Sequence, residues 1–501
     1  MGNVPNVKIG LIAGGRDWLP DALVIKSREK IISIFRDMYP DMEIHECPVI
    51  INDNELNVKR ALKDVYKAEC NALCLLYANY GPELMARQVI ESFEGPVMFI
   101  GIADNESENL MANRLDTLSG YINANYGIGL YNSKAYIPMR PIGDEIHCVK
   151  QMQKFYSIAR ALLGINELKV MSIGPRPSNY AGTNADNALL REFGIDIVEF
   201  SELELLSSYS RHNGDARIKS IAEQMRTDLG VDDQDTLMKL DKMAQLEITI
   251  SDWVRVNKGN RKYVTMAASC WPSFPSYFGI SPCYVWGRMT ANNIPISCEV
   301  DIYGAVSEYI GQCISGNSVT LLDINNNIPD KIYKDFIYEK DFGGHKYKIG
   351  DVFIGYHCGV TSSNMLVSAQ LECHYINKNY LGTDNTYGVL FGQIVSGDVT
   401  LFRIQPSKTG GLQAYVIQGQ ILPVSLETYG GYGVFAVREM DRFVRNVIIE
   451  HYFPNHTVVI RGHFGSEIMS LMKMMGIKVY YNYPSNMLYE SENAFEFIEE
   501  L

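Results

Sequence analysis

Short apolar runs alternate with amphipathic stretches through the first two thirds of this 501-residue chain, and that alternation narrows the fold more than any other feature. Residues 7–13 (VKIGLIA), 44–49, 72–77 and 97–101 read as buried strands, with helices between them through about residue 36 and over 55–66 and 83–93. Strands buried on both faces and interleaved with helices build parallel sheets covered on both sides. A helix around 145–163 closes this run, and the pattern restarts at LKVMSIG (168–174) and continues through strands at 195–200 and 263–268. Two flavodoxin- or Rossmann-like α/β domains are therefore expected, at 1–165 and 166–338. After about residue 338 the texture changes. Segments such as KYKIGDVFIGYH and GGLQAYVIQGQILP alternate in character between Gly and Asp punctuation. Residues 339–501 should form an antiparallel β-barrel-like or sandwich domain, interrupted by a helix near 465–475.

Within this frame the stretch 295–323, PISCEVDIYGAVSEYIGQCISGNSVTLLD, reads as strand, helix, strand, with an acid leaving each strand: Glu299 and Asp323. In a parallel sheet, strand carboxyl ends border the crevice where function gathers. Two carboxylates one βαβ unit apart can hold a divalent cation or share proton transfer. They can equally be ordinary strand-end or cap residues. The nine histidines add His357 in FIGYHCG, and His456 and His463 in PNHTVVIRGHFG. An oxygen-rich set with one imidazole suits Mn²⁺ or Mg²⁺ better than zinc. Asn455-His456 stands out because it sits just before an apolar run in a late loop. Arg16, in the loop after the first strand, can bind an oxygen-rich ligand or simply lie exposed. Trp271, in the loop CWPSFPSYFG, can stack on a sugar or belong to the core.

Other chemistries lack their residues. There is no G-x-x-x-x-G-K-[ST] loop, the Gly14-Gly15 pair does not extend to G-x-G-x-x-G, and neither G-x-S-x-G nor H-E-x-x-H occurs. A net charge of −13 argues against nucleic acid and anionic membrane surfaces as partners. No apolar run approaches the length of a membrane span, and the amino terminus runs straight into a strand without a signal-peptide pattern. A cytoplasmic location is expected. The ten cysteines are scattered without a C-x-x-C, many inside apolar runs, and read as buried thiols rather than disulfides or zinc ligands.

The segments ISCEVDIYGA, the Asp323 strand end and NHTVVIRGHFG together resemble the L-fucose isomerase/L-arabinose isomerase family, nearer its fucose (D-arabinose) branch. The resemblance spans nearly the whole chain. It implies an Mn²⁺-dependent aldose–ketose isomerase working through an enediol, with Mg²⁺ or Co²⁺ as substitutes. It also implies metal ligands at Glu299, Asp323 and His456, with Glu299 and Asp323 as the catalytic pair. Arg16, Tyr80, Trp271, His357 and Asn455 fall where the family contacts substrate, the Tyr80 segment reaching a neighbouring subunit. Trimers paired into hexamers, with active sites at subunit interfaces, are implied as well. Two alternatives remain. One is the same chemistry on another sugar: L-arabinose, or a 6-sulfo or 6-phospho aldohexose such as sulfoquinovose. The other is a non-catalytic sugar-binding protein on the same fold.

Overall fold

A computed structural model describes residues 2–19, 21–104, 114–131, 133–178 and 180–482. The chain divides into two compact units, Pro5–Leu163 and a larger one made of Met1–Val4 with Gly164–Leu501.

The smaller unit is a five-stranded parallel sheet. Its strands are β1 (Lys8–Gly14), β2 (Glu43–Ile51), β3 (Ala72–Tyr77), β4 (Val97–Ile102) and β5 (Ile142–Gly143), in the order β2-β1-β3-β4-β5. Strands β3 and β4 are buried at every position, as their unbroken apolar sequences ALCLLY and VMFIGI require. Helices α1 (Asp21–Met38), α2 (Glu55–Lys67), α3 (Glu83–Ser92), α4 (Thr117–Leu130) and α5 (Glu145–Asn166) connect or follow them. The α2 helix turns Val58, Ala61, Leu62 and Val65 inward at helical spacing, and the Asn54 side chain caps its first turn.

The larger unit contains two sheets. Strands β6 (Leu168–Ile173), β7 (Asp196–Phe200), β8 (Tyr263–Ala268) and β9 (Ile296–Cys298) form a parallel sheet in the order β7-β6-β8-β9. The second sheet comprises β10 (Val319–Asn327), β11 (Val352–His357), β12 (Gln370–Cys373), β13 (Tyr387–Gln393), β14 (Gly397–Pro406), β15 (Leu412–Leu422), β16 (Gly431–Ala436), β17 (His456–Arg461) and β18 (Lys478–Tyr481). Its order runs β12-β13-β16-β11-β10-β17-β14-β15-β18, and β15 also pairs with β16. That extra pairing joins β16, β11, β10, β17, β14 and β15 into a ring, each neighbour antiparallel. The expected barrel is present, with β12–β13 and β18 as additions. Closing the ring leaves those six strands without a free edge.

One expectation fails. The stretch 295–323 is not a parallel βαβ unit. Strand β9 belongs to the parallel sheet, whereas β10 lies in the barrel, antiparallel to both β11 and β17. The intervening helix, Ile302–Ser315, explains the split. Every residue from Ile302 to Ile314 is buried, so the helix is covered all round instead of capping one sheet. It packs on β8 and β9 of one sheet and on β10, β14 and β17 of the other. An apolar run such as VTLL shows that a strand is buried, but not which sheet receives it. The barrel consequently begins at Val319, ahead of the expected change at residue 338.

Candidate active site

Register brings the first two residues together. In the β10–β17 ladder Asp323 lies directly opposite His456, so their side chains emerge side by side. Glu299 arrives from the other sheet, one residue beyond β9. It and Val300 both adopt left-handed backbone conformations, with φ of 57° and 54°. A β-branched residue there is strained, at a cost on the order of 1–3 kcal/mol. The strain turns the chain sharply between β9 and the next helix and aims Glu299 at the barrel rim. The His456 Nε2 stands 3.5 Å from Glu299 and 3.4 Å from Asp323.

The imidazole is held from behind. His456 Nδ1 lies 2.8 Å from Asp301 Oδ2, and all three of His456, Asp301 and Arg403 are 1% exposed. Asp301 also accepts from Gly304 N at 2.8 Å, capping the buried helix, and pairs with both terminal nitrogens of Arg403 on β14. A Cβ added at Gly304 would collide with Ser297 Oγ and the Asp301 carboxylate, so the helix start and the carboxylate position are one requirement. Burial alone would raise the Asp301 carboxyl, but Arg403 and His456 hold it well below the usual carboxylate range. An ionised Asp301 accepts from Nδ1 and so turns Nε2 toward Glu299 and Asp323. Burial pushes Glu299 up to about 7, against the pull of His456 and His357.

A polar rim continues from this cluster. Asn455 donates to Asp323 at 2.9 Å and accepts from the Tyr180 hydroxyl at 2.8 Å. The Tyr180 ring meets His456 edge-on at 5.6 Å. Tyr180 and Val300 line a cavity of about 570 Å³ that also takes in Arg176. Arg176 Nη1 donates to Asn184, while its Nε and Nη2 are enclosed without a hydrogen-bond partner.

Of the eight residues singled out in sequence, Glu299, Asp323, His456, Asn455 and His357 are grouped here. The buried His357 ring lies 5.9 Å from that of His456. Trp271 occupies the loop after β8, 44% exposed, and is not a core residue. Arg16 and Tyr80 meet in the smaller unit, the guanidinium 5.4 Å from the ring. Arg16 there is paired with Asp53 at 2.9 Å and Glu83 at 3.6 Å. Asp301, Arg403, Tyr180 and Arg176 were not anticipated. A lone arginine inside the apolar strand VTLFRIQ was a legible signal for Arg403, and its partner 102 positions away was not.

These elements define a sugar isomerase: a parallel α/β unit, a parallel sheet joined to an antiparallel barrel, and carboxylates with an imidazole at their junction. Residues 10–166 match the N-terminal domain of fucose/sulfoquinovose isomerases and residues 355–482 the C-terminal domain of L-fucose isomerases. The chain belongs to this fucose isomerase-like family. It is 24% identical over 382 residues to the sulfoquinovose isomerase of Clostridium sp. (strain MSTE9), covering 73% of this chain and 76% of that protein. It is 22% identical over 346 residues to the sulfoquinovose isomerase of Priestia megaterium, covering 67% and 70%. Among the described residues no helix is long and apolar enough to cross a membrane.

Proposed function

We propose that the chain is a divalent-metal-dependent aldose–ketose isomerase working through an enediol, with Glu299, Asp323 and His456 holding Mn²⁺, or Mg²⁺ or Co²⁺ in its place. The observation that carries this reading is the imidazole Nε2, pinned from behind by Asp301 and pointed at two carboxylates. A cation placed among Nε2 and the two carboxylates would be stabilised by all three. The Nε2 separations of 3.5 Å from Glu299 and 3.4 Å from Asp323 are near the about 3 Å between adjacent donors of an octahedral ion with bonds of about 2.1 Å, and the two carboxylates would draw together around the cation. Two carboxylates and one imidazole are the donors a hard cation prefers.

The reaction asks little else of the protein. One carboxylate takes the C2 proton of the aldose while the carbonyl oxygen at C1 gains a proton, giving the enediol. A proton then returns to C1 and the O2 proton leaves, yielding the ketose with no net gain or loss. Glu299 and Asp323 form the catalytic pair, approaching from different sheets. The bound cation supplies positive charge against the charge developing on the two substrate oxygens. Asn455 and Tyr180 orient the Asp323 side of the site, and His357 lines its buried wall.

The substrate reading favours an aldose with an anionic far end over a neutral one such as L-fucose or D-arabinose. Arg176, with enclosed and unpaired nitrogens in the cavity beside the site, supports it, because a sulfonate or phosphate oxygen would satisfy them. The relatives named sulfoquinovose isomerase support it too. Arg16, Tyr80 and Trp271 are proposed as further substrate contacts. A homotrimer or hexamer with interfacial active sites, in the cytoplasm, is proposed on the family resemblance, and sedimentation tests the assembly.

The deciding experiment assays ketose formation with Mn²⁺ from L-fucose, D-arabinose, L-arabinose and 6-sulfo and 6-phospho aldohexoses. Turnover of an anionic aldose, lost on chelation, is expected. Binding of these sugars without turnover of any would replace the isomerase with a sugar-binding protein.

A further inference from the structure

Next to the oxygen-rich cluster lies a second group of donors that the proposed isomerisation does not use. The Sγ atoms of Cys283 and Cys358 and a ring nitrogen of His374 all fall within 4.8 Å of one another, the one such convergence among the described residues. The three come from separate elements: the first residue of the helix Cys283–Ala291, the residue after β11, and the residue after β12. Cys270, in the loop after β8, adjoins Cys283, and its Sγ is 3.3 Å from Cys298 Sγ at the end of β9. None of these thiols is in a disulfide.

His374 is the decisive residue. It is 4% exposed, and both ring nitrogens are enclosed without a hydrogen-bond partner. The Cys358 Sγ lies within 4.8 Å of a ring nitrogen, without the geometry that would satisfy it as a hydrogen bond. A buried imidazole with neither nitrogen satisfied is costly, and such groups call for an explanation. Elsewhere in the chain His456 is buried to the same degree, and its Nδ1 is firmly held. Thiols and an imidazole in this arrangement are the donors of tetrahedral zinc sites.

We propose that Cys283, Cys358 and His374 bind a thiolate-preferring divalent cation, Zn²⁺ first among them, with Cys270 placed to close the fourth position. Binding exchanges the thiol protons for the cation, the protons passing to solvent, and involves no change of oxidation state. Partial exposure of Cys358 gives the ion a way in. Since Cys270 and Cys283 belong to the parallel-sheet segment and Cys358 and His374 to strands of the barrel sheet, the cation would tie the two sheets together beneath the candidate active site. The spacing of these residues, with no C-x-x-C, hid the group from the sequence.

Cobalt distinguishes this site from the oxygen-rich one, because only a thiolate ligand gives Co²⁺ an intense near-ultraviolet charge-transfer band. The full chain, stripped of metal and kept reduced, would be titrated with Co²⁺. A band saturating at about one ion per chain is expected, displaced by Zn²⁺. It should vanish in Cys283→Ser, shift in His374→Ala, and persist in Glu299→Gln and in Cys373→Ser, a cysteine outside the group. Zinc-edge absorption of the wild-type protein, which needs no variant to fold, should show sulfur neighbours at about 2.3 Å. No charge-transfer band in the wild type, or a band untouched by Cys283→Ser in a folded protein, would overturn the proposal.

Discussion

The oxygen-rich cluster around His456 and the sulfur-rich cluster around His374 are built from the same strands and differ in kind. Glu299 and Cys298 are neighbours at the end of β9, and His357 and Cys358 are neighbours at the end of β11. At both strand ends one residue goes to each cluster. The left-handed turn at Glu299 carries it away from Cys298, while His357 Nδ1 stays 3.5 Å from Cys358 Sγ, so the two groups adjoin there. The difference lies in the support behind each imidazole. His456 has a buried carboxylate and guanidinium at its back, whereas His374 has none. On the two proposals above, the hard donors that would meet a substrate are pre-oriented, and the soft donors would be organised by the ion they bind.

The sharpest break of that comparison is loss of a carboxylate. Glu299→Gln and Asp323→Asn should each reduce aldose isomerisation to background, with the circular dichroism spectrum intact and the cobalt–thiolate band preserved. Near-wild-type turnover in either would remove the catalytic pair. Next in size is Asp301→Asn. It releases the His456 Nδ1 partner and leaves Arg403 buried without its counter-charge. Mn²⁺ affinity should fall about 10–100-fold, and stability should drop by about 3–5 kcal/mol, read by calorimetry and denaturant titration. If affinity is unchanged, the support behind His456 is not what orients it. Arg176→Gln should raise KM for an anionic aldose about 10–100-fold, the worth of one or two charged hydrogen bonds. The KM for a neutral aldose should hardly move, and equal effects on both would return Arg176 to a structural role.

A separate effect distinguishes a carboxylate in the site from one in the core. Glu308, 1% exposed on the buried helix, has its carboxyl pushed up to about 8 by burial, then by Asp301. A carboxyl whose folded pKa exceeds its unfolded one costs stability as pH rises from the unfolded value, near 4.5, through the folded one. Glu308→Gln should therefore raise Tm relative to wild type at pH 9, and the gain should shrink to nothing by pH 4. A gap independent of pH would mean that packing, not ionisation, governs the position.

Much of this protein is written locally. The five-stranded unit follows from strands such as ALCLLY, which can be satisfied only in a doubly covered parallel sheet. The barrel strands follow from alternating segments with Gly and Asp breaks. Glu299, Asp323 and His456 were legible because each sits at the edge of an apolar run, where a strand meets a loop. Asp301 and Arg403 were not, since a buried ion pair between residues 102 apart leaves no local pattern.

The sequence by itself determined which segments are strands and helices, that parallel and antiparallel sheets coexist, and which acids and imidazoles stand at strand ends. All of these depend on periodicity and neighbours within a few residues. Only the tertiary structure decided that β10 leaves the parallel sheet for the barrel, that Asp323 and His456 face each other across one ladder, and that Cys283 and Cys358 converge on an unpaired histidine. Those outcomes rest on strand register and on the sandwiching of one almost wholly buried helix between two sheets. Both are long-range choices that burial rewards equally well in several local arrangements, and that only the packing of the whole unit resolves.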